Sequence, residues 1–275
     1  MLRGSMAVAR KVRWEEMFPD DIEAAVAEFP VAWLPFGCLE RHGPHMALGN
    51  DGIKAHAICT LTAQQYGGVV CPVSFVHMGG DECELSRNWV AGMGGPKLWG
   101  PYLPPELFYP MYIALLRQME MLGFKVVMAI TGHYGGPEHD MRLLAERYVQ
   151  RSPLRICAMS DGEAINYQGI GGDHAGRTET SQLAYLRPDL VDVQRLPAPS
   201  DWSPSLVAGR DACQASAELG ERIVESQILA LGEKAQQLLS EYREWPGHQI
   251  MPASEILPFW QRLWAEEKER FVCQP

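Results

Sequence analysis

The sequence lacks the features of several common protein classes. It has no uninterrupted apolar stretch of about 18 residues, so we predict no transmembrane helix. Residues 1–13 have no apolar core of the kind found in secretory signals. No stripe of Lys and Arg offsets the formal net charge of −10, which argues against nucleic-acid binding. We therefore expect a soluble, cytoplasmic protein that acts on a small molecule.

Disulfide and dinucleotide-binding patterns are also missing. The seven cysteines are odd in number and form no C-x-x-C pair, so we expect reduced thiols, several of them small core residues. No G-x-G-x-x-G follows the first predicted strand, and there is no internal repeat or low-complexity segment. With 47% hydrophobic and 21% charged residues, the composition is that of an ordinary globular protein. We predict a single domain over residues 1–275.

Short apolar runs alternate with amphipathic stretches along the chain. They predict strands at 31–36, 69–76, 126–130 and 154–159, and helices at 20–29, 52–66, 107–122, 138–149, 177–186, 212–242 and 252–270. Apolar strands separated by helices favour a parallel sheet covered on both faces, which is a three-layer α/β/α fold. We expect the ligand site at the carboxyl ends of the strands. The Gly- and Pro-rich segment 79–105 is too long for a routine connection and is predicted to be a lid or an oligomer contact.

A first group of candidate metal ligands follows the first predicted strand. If the chain is still extended there, Glu40 and His42 point the same way. Asp51 comes after a turn and just before a helix, from where it reaches back to the other two or caps the helix. Two carboxylates and an imidazole at one strand end suit zinc, manganese or iron. The alternative is that Asp51 is only a helix cap and His42 a hydrogen-bonded loop residue.

Two further groups lie at element ends. His133 follows the third predicted strand, and the backbone amides beside it, around Tyr134 and Gly135, open a helix and are placed to bind an oxyanion. The alternative is a tight turn with an incidental histidine. His174 and Glu179 stand at the start of a later helix, where Glu179 is either a metal ligand or a first-turn carboxylate that stabilises the helix dipole.

The three groups together resemble the creatininase (creatinine amidohydrolase) family. The pattern E-x-H-G-P-H, then G-x-D, then G-H, then H-A-G-x-x-E-T-S keeps the order and approximate spacing of that family from Val31 to Pro188. The resemblance implies a Rossmann-like α/β/α fold, a site for two divalent ions (Zn, Mn or Fe) and a homo-oligomer, usually a hexamer. It also implies hydrolysis of an amide C–N bond in a small molecule.

The resemblance also implies roles for single residues. Asp51 would bridge the two ions. Glu40 and His133 would complete the coordination of one ion, and His42 would bind the other. The family's last ligand is replaced here by Gly135, and Glu179 is its best substitute. His174 matches the acid/base of the family, and His45 would orient a ligand.

Two departures from the pattern concern the substrate. Arg177 stands where the family usually has a glutamate, and Thr131 stands where it usually has an asparagine. Both weaken the prediction of creatinine as substrate. If Arg177 points into the site, its charge repels the second ion, and the pocket binds an anion instead. We predict that Arg177 and Gly135 contact the substrate.

The mechanism expected from two metal ions is activation of a water for attack on an amide carbonyl. The Tyr134 amide would hold the oxyanion, and His174 would protonate the leaving nitrogen. Two alternatives remain, a C–C ring-opening hydrolase of a keto-inositol and an inactive binding module. His77 and the acidic residues Asp81, Glu82 and Glu84 are predicted to be solvated charges or substrate contacts rather than metal ligands.

Overall fold

The central sheet is parallel and has four strands. The structure, a computed structural model, describes residues 10–78, 100–203 and 206–273. Its strands are β1 Val31–Phe36, β2 Val69–Val70, β3 His77–Met78, β4 Tyr102–Leu103, β5 Val126–Thr131 and β6 Arg155–Ser160. The main sheet has the order β2-β1-β5-β6 with every pair parallel, and β3 pairs with β4 in a separate parallel ribbon.

Helices cover both faces of the sheet. They are α1 Pro19–Glu28, α2 Asn50–Tyr66, α3 Pro105–Met121, α4 Pro137–Tyr148, α5 Arg177–Leu186, α6 Ala217–Glu241 and α7 Ile256–Glu267. All six residues of β1 are buried. Alternate residues point to opposite faces, so Ala32 and Leu34 join the core formed with α3, α4 and α7, while Val31 and Trp33 join the core formed with α2 and α6. The predicted three-layer α/β/α fold is confirmed.

The structure changes some predicted boundaries. The strand predicted at 69–76 is short, because after Val69–Val70 only Ser74 makes a further bridge, to Phe36. Helix α2 begins at Asn50, so Asp51 lies in its first turn. The carboxyl end of segment 79–105 is ordinary secondary structure, since Tyr102–Leu103 forms β4 and Pro105 opens α3; residues 79–99 lie outside the described residues. Among the helices of the described ranges, none combines the length and apolar character of a membrane span.

Candidate metal centre

The candidate site lies at the carboxyl edge of the sheet. Strands β1, β5 and β6 end side by side at Phe36, Thr131 and Ser160. The chain that continues from each of them carries a candidate residue: Glu40, His133 and Asp161. A parallel sheet brings such loops together, as the sequence predicts.

Two glycines let helix α2 approach this edge closely. A Cβ atom on Gly37 would overlap the backbone of Gly52, and one on Gly132 would overlap the carbonyl oxygen of Asp51. The first turn of α2 therefore packs backbone against backbone on the ends of β1 and β5. This contact places the Asp51 side chain, which is fully buried, between the two loops.

A first group of four donors includes one oxygen of Asp51. The Oδ2 atom of Asp51 lies 3.1 Å from Cys38 Sγ and 3.5 Å from His133 Nδ1. His133 Nδ1 is also 3.0 Å from Glu40 Oε1. The donor atoms of Cys38, Glu40, Asp51 and His133 all lie within 4.8 Å of one another. Cys38 is a site residue that the sequence analysis missed; its i, i+2 spacing from Glu40 was the available signal.

A second group surrounds the other oxygen of Asp51. His42 Nε2 lies 2.9 Å from Asp51 Oδ1, 3.5 Å from Glu179 Oε2 and 3.8 Å from Glu40 Oε1. This nitrogen is buried and finds no partner with hydrogen-bond geometry in the described part of the chain. Burial alone would lower the pKa of His42, but the carboxylates of Asp51 and Glu179 raise it to about 10. Three carboxylates around one buried nitrogen thus favour a positive charge at this point.

Lys54 is a second residue that the sequence analysis missed. Its ammonium group is fully buried, 2.5 Å from Glu179 Oε1 and 3.3 Å from Asp161 Oδ1. Burial raises the pKa of Asp161 to about 6, although Lys54 opposes this shift. Lys54 follows Asp51 by three residues, which places both on one face of α2. That spacing was the signal for it in the sequence.

Tyr134 contacts the site through its hydroxyl, and the oxyanion role predicted for its backbone amide stays a prediction. The Tyr134 hydroxyl lies 2.9 Å from Glu179 Oε1 and 2.7 Å from the carbonyl oxygen of Asp173. The backbone amides of Gly135 and Gly136 donate to the carboxylate of Glu138. Gly135 has a φ of +104°, a conformation that side chains other than glycine rarely adopt.

His174 lies at the rim of the donor groups. Its ring stacks on His42 with 4.6 Å between the ring centres, and its Nδ1 is 3.8 Å from Glu40 Oε1. Its Nε2 is 2.9 Å from the carbonyl oxygen of Arg41. The side chain is 28% exposed, so it faces both the site and solvent. The acid/base role predicted for it stays a prediction.

His45 packs on α5, the helix that carries Glu179, and Arg177 is the first residue of that helix. His45 is buried, and its Nε2 lies 2.9 Å from the hydroxyl of Thr180, the residue after Glu179. Burial and the charge of His42 lower the pKa of His45 to about 4, so it is neutral at pH 7. Arg177, the first residue of α5, is exposed. Its predicted substrate contact stays a prediction.

The prediction that His77 is a solvated charge was wrong, whereas a substrate contact of His77 stays a prediction. Its side chain is fully buried, its ring stacks on Phe108 at 4.9 Å, and its Nε2 is 3.2 Å from the hydroxyl of Thr131. It packs edge-on against His133, with 5.5 Å between the ring centres. His77 therefore supports a candidate ligand from the core side and is not a solvated charge. Asp81, Glu82 and Glu84 lie outside the described residues.

Comparisons with known proteins identify the family. The model of the family described as "Creatininase: Creatinine amidohydrolase" matches residues 15–234. A creatinine amidohydrolase of Pseudomonas putida is 24% identical over 186 residues, which cover 60% of this chain and 68% of that protein. A mycofactocin precursor peptide peptidase of Mycolicibacterium smegmatis is 26% identical over 170 residues, 59% of this chain and 60% of the peptidase. The matched region thus spans about three fifths of the length of the peptidase.

The fold is that of a solved creatininase. The crystal structure of creatinine amidohydrolase (creatininase) superimposes with a TM-score of 0.65 and 23% sequence identity, covering 86% of this chain and all of the other. The family model covers most of the chain and includes every candidate ligand. The protein belongs to the creatininase family of metal-dependent amidohydrolases.

Proposed function

We propose that the protein uses two divalent ions to hydrolyse an amide C–N bond in a small molecule. One observation carries the proposal: the two oxygens of buried Asp51 face different donor groups, Oδ2 the group of Glu40 and His133 and Oδ1 the group of His42 and Glu179. A carboxylate in this position is able to bridge two ions. The buried His42 Nε2, which finds no hydrogen-bond geometry among the described residues, supports a ligand at the second position.

The donors suit divalent transition metals. Imidazole nitrogens and carboxylate oxygens bind zinc at about 2.0–2.2 Å, so the edges of a tetrahedral site are about 3.3–3.6 Å. The donor separations of 2.9–3.5 Å around Asp51 are close to these edges. Among solved creatininases, one is a Mn form and a mutant is of Zn-Zn type.

The chain's own residues would prepare the reaction. When bound, the ions would activate water and polarise the carbonyl of the substrate. Lys54 and Tyr134 donate to Oε1 of Glu179, while Oε2 accepts from the Ala175 amide at 2.8 Å and lies 3.5 Å from His42 Nε2. Because Lys54 neutralises part of the charge of Glu179, we expect the second ion to bind more weakly than the first. His174, which is partly exposed beside Glu40, would give a proton to the leaving nitrogen.

Cleavage of a C–N bond is favoured over the ring-opening alternative. The two curated relatives are an amidohydrolase and a peptidase, and both activities break amide bonds. The exposed position of Arg177 weakens the alternative of an anion-binding module without metal. The substrate, the cytoplasmic location and the homo-oligomeric state remain predictions.

The first experiment is the metal content per chain of protein purified without chelator, by elemental mass spectrometry. We expect about two divalent ions per chain in the wild type and about one in His42→Ala. His139→Ala, on a side chain that is 52% exposed, should keep both. Release of ammonia or an amine from cyclic amides or formamides, and no turnover of keto-inositols, would then support the proposed bond. Absence of bound metal, even after zinc or manganese is added, would contradict the proposal.

A further inference from the structure

We propose that Cys38 is a metal ligand, whose sulfur joins Glu40, Asp51 and His133 around the first ion and biases that position toward zinc. This inference rests on the proposed function, because it requires that an ion binds there. It adds a sulfur donor to a set of nitrogen and oxygen donors.

The position of the sulfur carries the inference. Cys38 is the second residue after β1, and its side chain is fully buried. Its Sγ lies 3.1 Å from Asp51 Oδ2. The sulfur, one oxygen each of Asp51 and Glu40, and a nitrogen of His133 lie within 4.8 Å of one another, which makes a four-donor set. Four donors complete the tetrahedral coordination that zinc prefers.

The surroundings of Cys38 differ from those of other buried cysteines. Cys59 and Cys71 are members of the two large hydrophobic clusters, among aliphatic and aromatic side chains. Cys38 instead faces the carboxylate of Asp51, and its sulfur lies within 4.8 Å of a donor nitrogen of His133. A thiol that only fills core space does not need such neighbours.

A separate observation also indicates that this cluster binds a cation. The other oxygen of Asp51 faces His42 Nε2, a buried nitrogen without hydrogen-bond geometry to any described residue. Both oxygens of this carboxylate therefore point at groups that bind metals, sulfur and imidazole on one side and imidazole on the other.

Metal binding by Cys38 would involve its thiol proton. In the metal-free protein the S–H of Cys38 donates to Oδ2 of Asp51. If Cys38, Glu40, Asp51 and His133 hold an ion, Cys38 would bind it as a thiolate and the thiol proton would pass to the buffer. A thiolate is a soft ligand that selects zinc over manganese. The first position should therefore prefer zinc, and Cys38→Ser should lose part of that preference.

X-ray absorption at the zinc edge tests the inference directly. One equivalent of zinc is added to metal-free protein. The wild type should show one sulfur neighbour at about 2.3 Å besides nitrogen and oxygen neighbours at about 2.0–2.2 Å. Cys38→Ser and Cys38→Ala should lose the sulfur neighbour and keep bound zinc. Cys59→Ser, also buried, and Cys213→Ser, at an exposed cysteine, should retain it.

The outcomes separate the two proposals. Zinc bound by nitrogen and oxygen alone in the wild type would overturn the role of Cys38 and leave the metal-dependent hydrolase standing. Failure of the wild type to bind zinc at all would overturn both. A sulfur neighbour that persists in Cys38→Ser but disappears in Cys213→Ser would assign the sulfur to surface binding and overturn the inference. Circular dichroism shows which variants are folded. Absence of a sulfur neighbour from the wild-type spectrum overturns the inference even if no Cys38 variant folds.

Discussion

Buried charges dominate the site at the scale of single residues. Lys54, Asp51, Glu179 and Asp161 are each no more than 1% exposed. Such charges are tolerated only when they are paired, because removing an ion from water costs several kcal/mol. Lys54 pairs with both Asp161 and Glu179, and it therefore fixes the carboxylate that faces His42.

Replacing Lys54 with methionine should destabilise the protein strongly. The change keeps the length of the side chain but leaves two buried carboxylates without their cation. We expect a loss of about 3–5 kcal/mol in the free energy of unfolding, measured by urea denaturation of metal-free protein. The control is Lys11→Met, which removes an exposed ion pair with Asp21 and should cost about 0–1 kcal/mol. Equal losses in the two variants would show that the buried pairs contribute little.

His77 should make the stability of the protein sensitive to acid. Burial and the charge of His133 lower its folded-state pKa from 6.5 to about 3. Between pH 6.5 and 3, His77 is protonated in the unfolded chain and neutral in the folded chain. Its contribution to the free energy of unfolding is therefore complete above pH 6.5 and is lost as the pH falls toward 3. The slope is up to about 1.4 kcal/mol per pH unit. Denaturation at several pH values, with chelator present, should show a smaller slope in His77→Gln than in the wild type. An unchanged slope would contradict the neutral buried state of His77.

The contact between helix α2 and the strand ends decides the geometry of the site at the scale of elements. Asp51 comes from the first turn of α2, whereas Glu40 and His133 come from loops after β1 and β5. The helix approaches these ends only because Gly37 and Gly132 lack side chains.

A methyl group at Gly132 should push α2 away from β5. We expect Gly132→Ala to lose about 1–3 kcal/mol of stability through overpacking. It should also bind metal more weakly, because Asp51 moves relative to His133. Gly171→Ala is the control, since no described atom lies within 4 Å of the added carbon. Thermal denaturation and metal titration of both variants make the comparison. Normal metal binding in Gly132→Ala would show that the close contact does not position Asp51.

At the scale of the whole molecule, the last residues of the described chain close one face of the core. Buried Asp140 on α4 accepts hydrogen bonds from the backbone nitrogens of Val272 and Cys273, at 2.8 and 2.9 Å. Phe271 packs on Tyr109 and Trp260, with 5.3 and 5.5 Å between ring centres. The carboxyl-terminal segment is therefore part of the domain, although it lies beyond the matched family region 15–234.

Removing the Asp140 carboxylate should release this segment. Asp140→Ala leaves two backbone donors without their acceptor, at a cost on the order of 1–3 kcal/mol each. We expect lower stability in urea and faster proteolysis after residue 267. Asp189→Ala is the control, because Asp189 forms an exposed ion pair with Arg187 and its loss should leave stability and protease resistance nearly unchanged. If Asp140→Ala resists protease as well as the wild type does, the hydrogen bonds of Asp140 do not hold the carboxyl-terminal segment in place.

The fold class and most of the candidate ligands could be predicted from the amino-acid sequence alone. The apolar runs of β1, β5 and β6 follow local periodicity, and Glu40, His42, Asp51, His133 and Glu179 stand in motifs readable without coordinates. Their convergence follows from the rule that loops meet at one edge of a parallel sheet.

The burial and the contacts of Cys38, Lys54 and His77 follow from tertiary packing. Burial and partners across the chain make a thiol, an ammonium group and an imidazole part of the site, and these depend on packing between elements far apart in sequence. Cys38 meets Asp51 across 13 residues, and Lys54 meets Glu179 across 125. The local spacings of Cys38 from Glu40 and of Lys54 from Asp51 were signals for these residues, but the contacts themselves form only when α2 packs on the sheet.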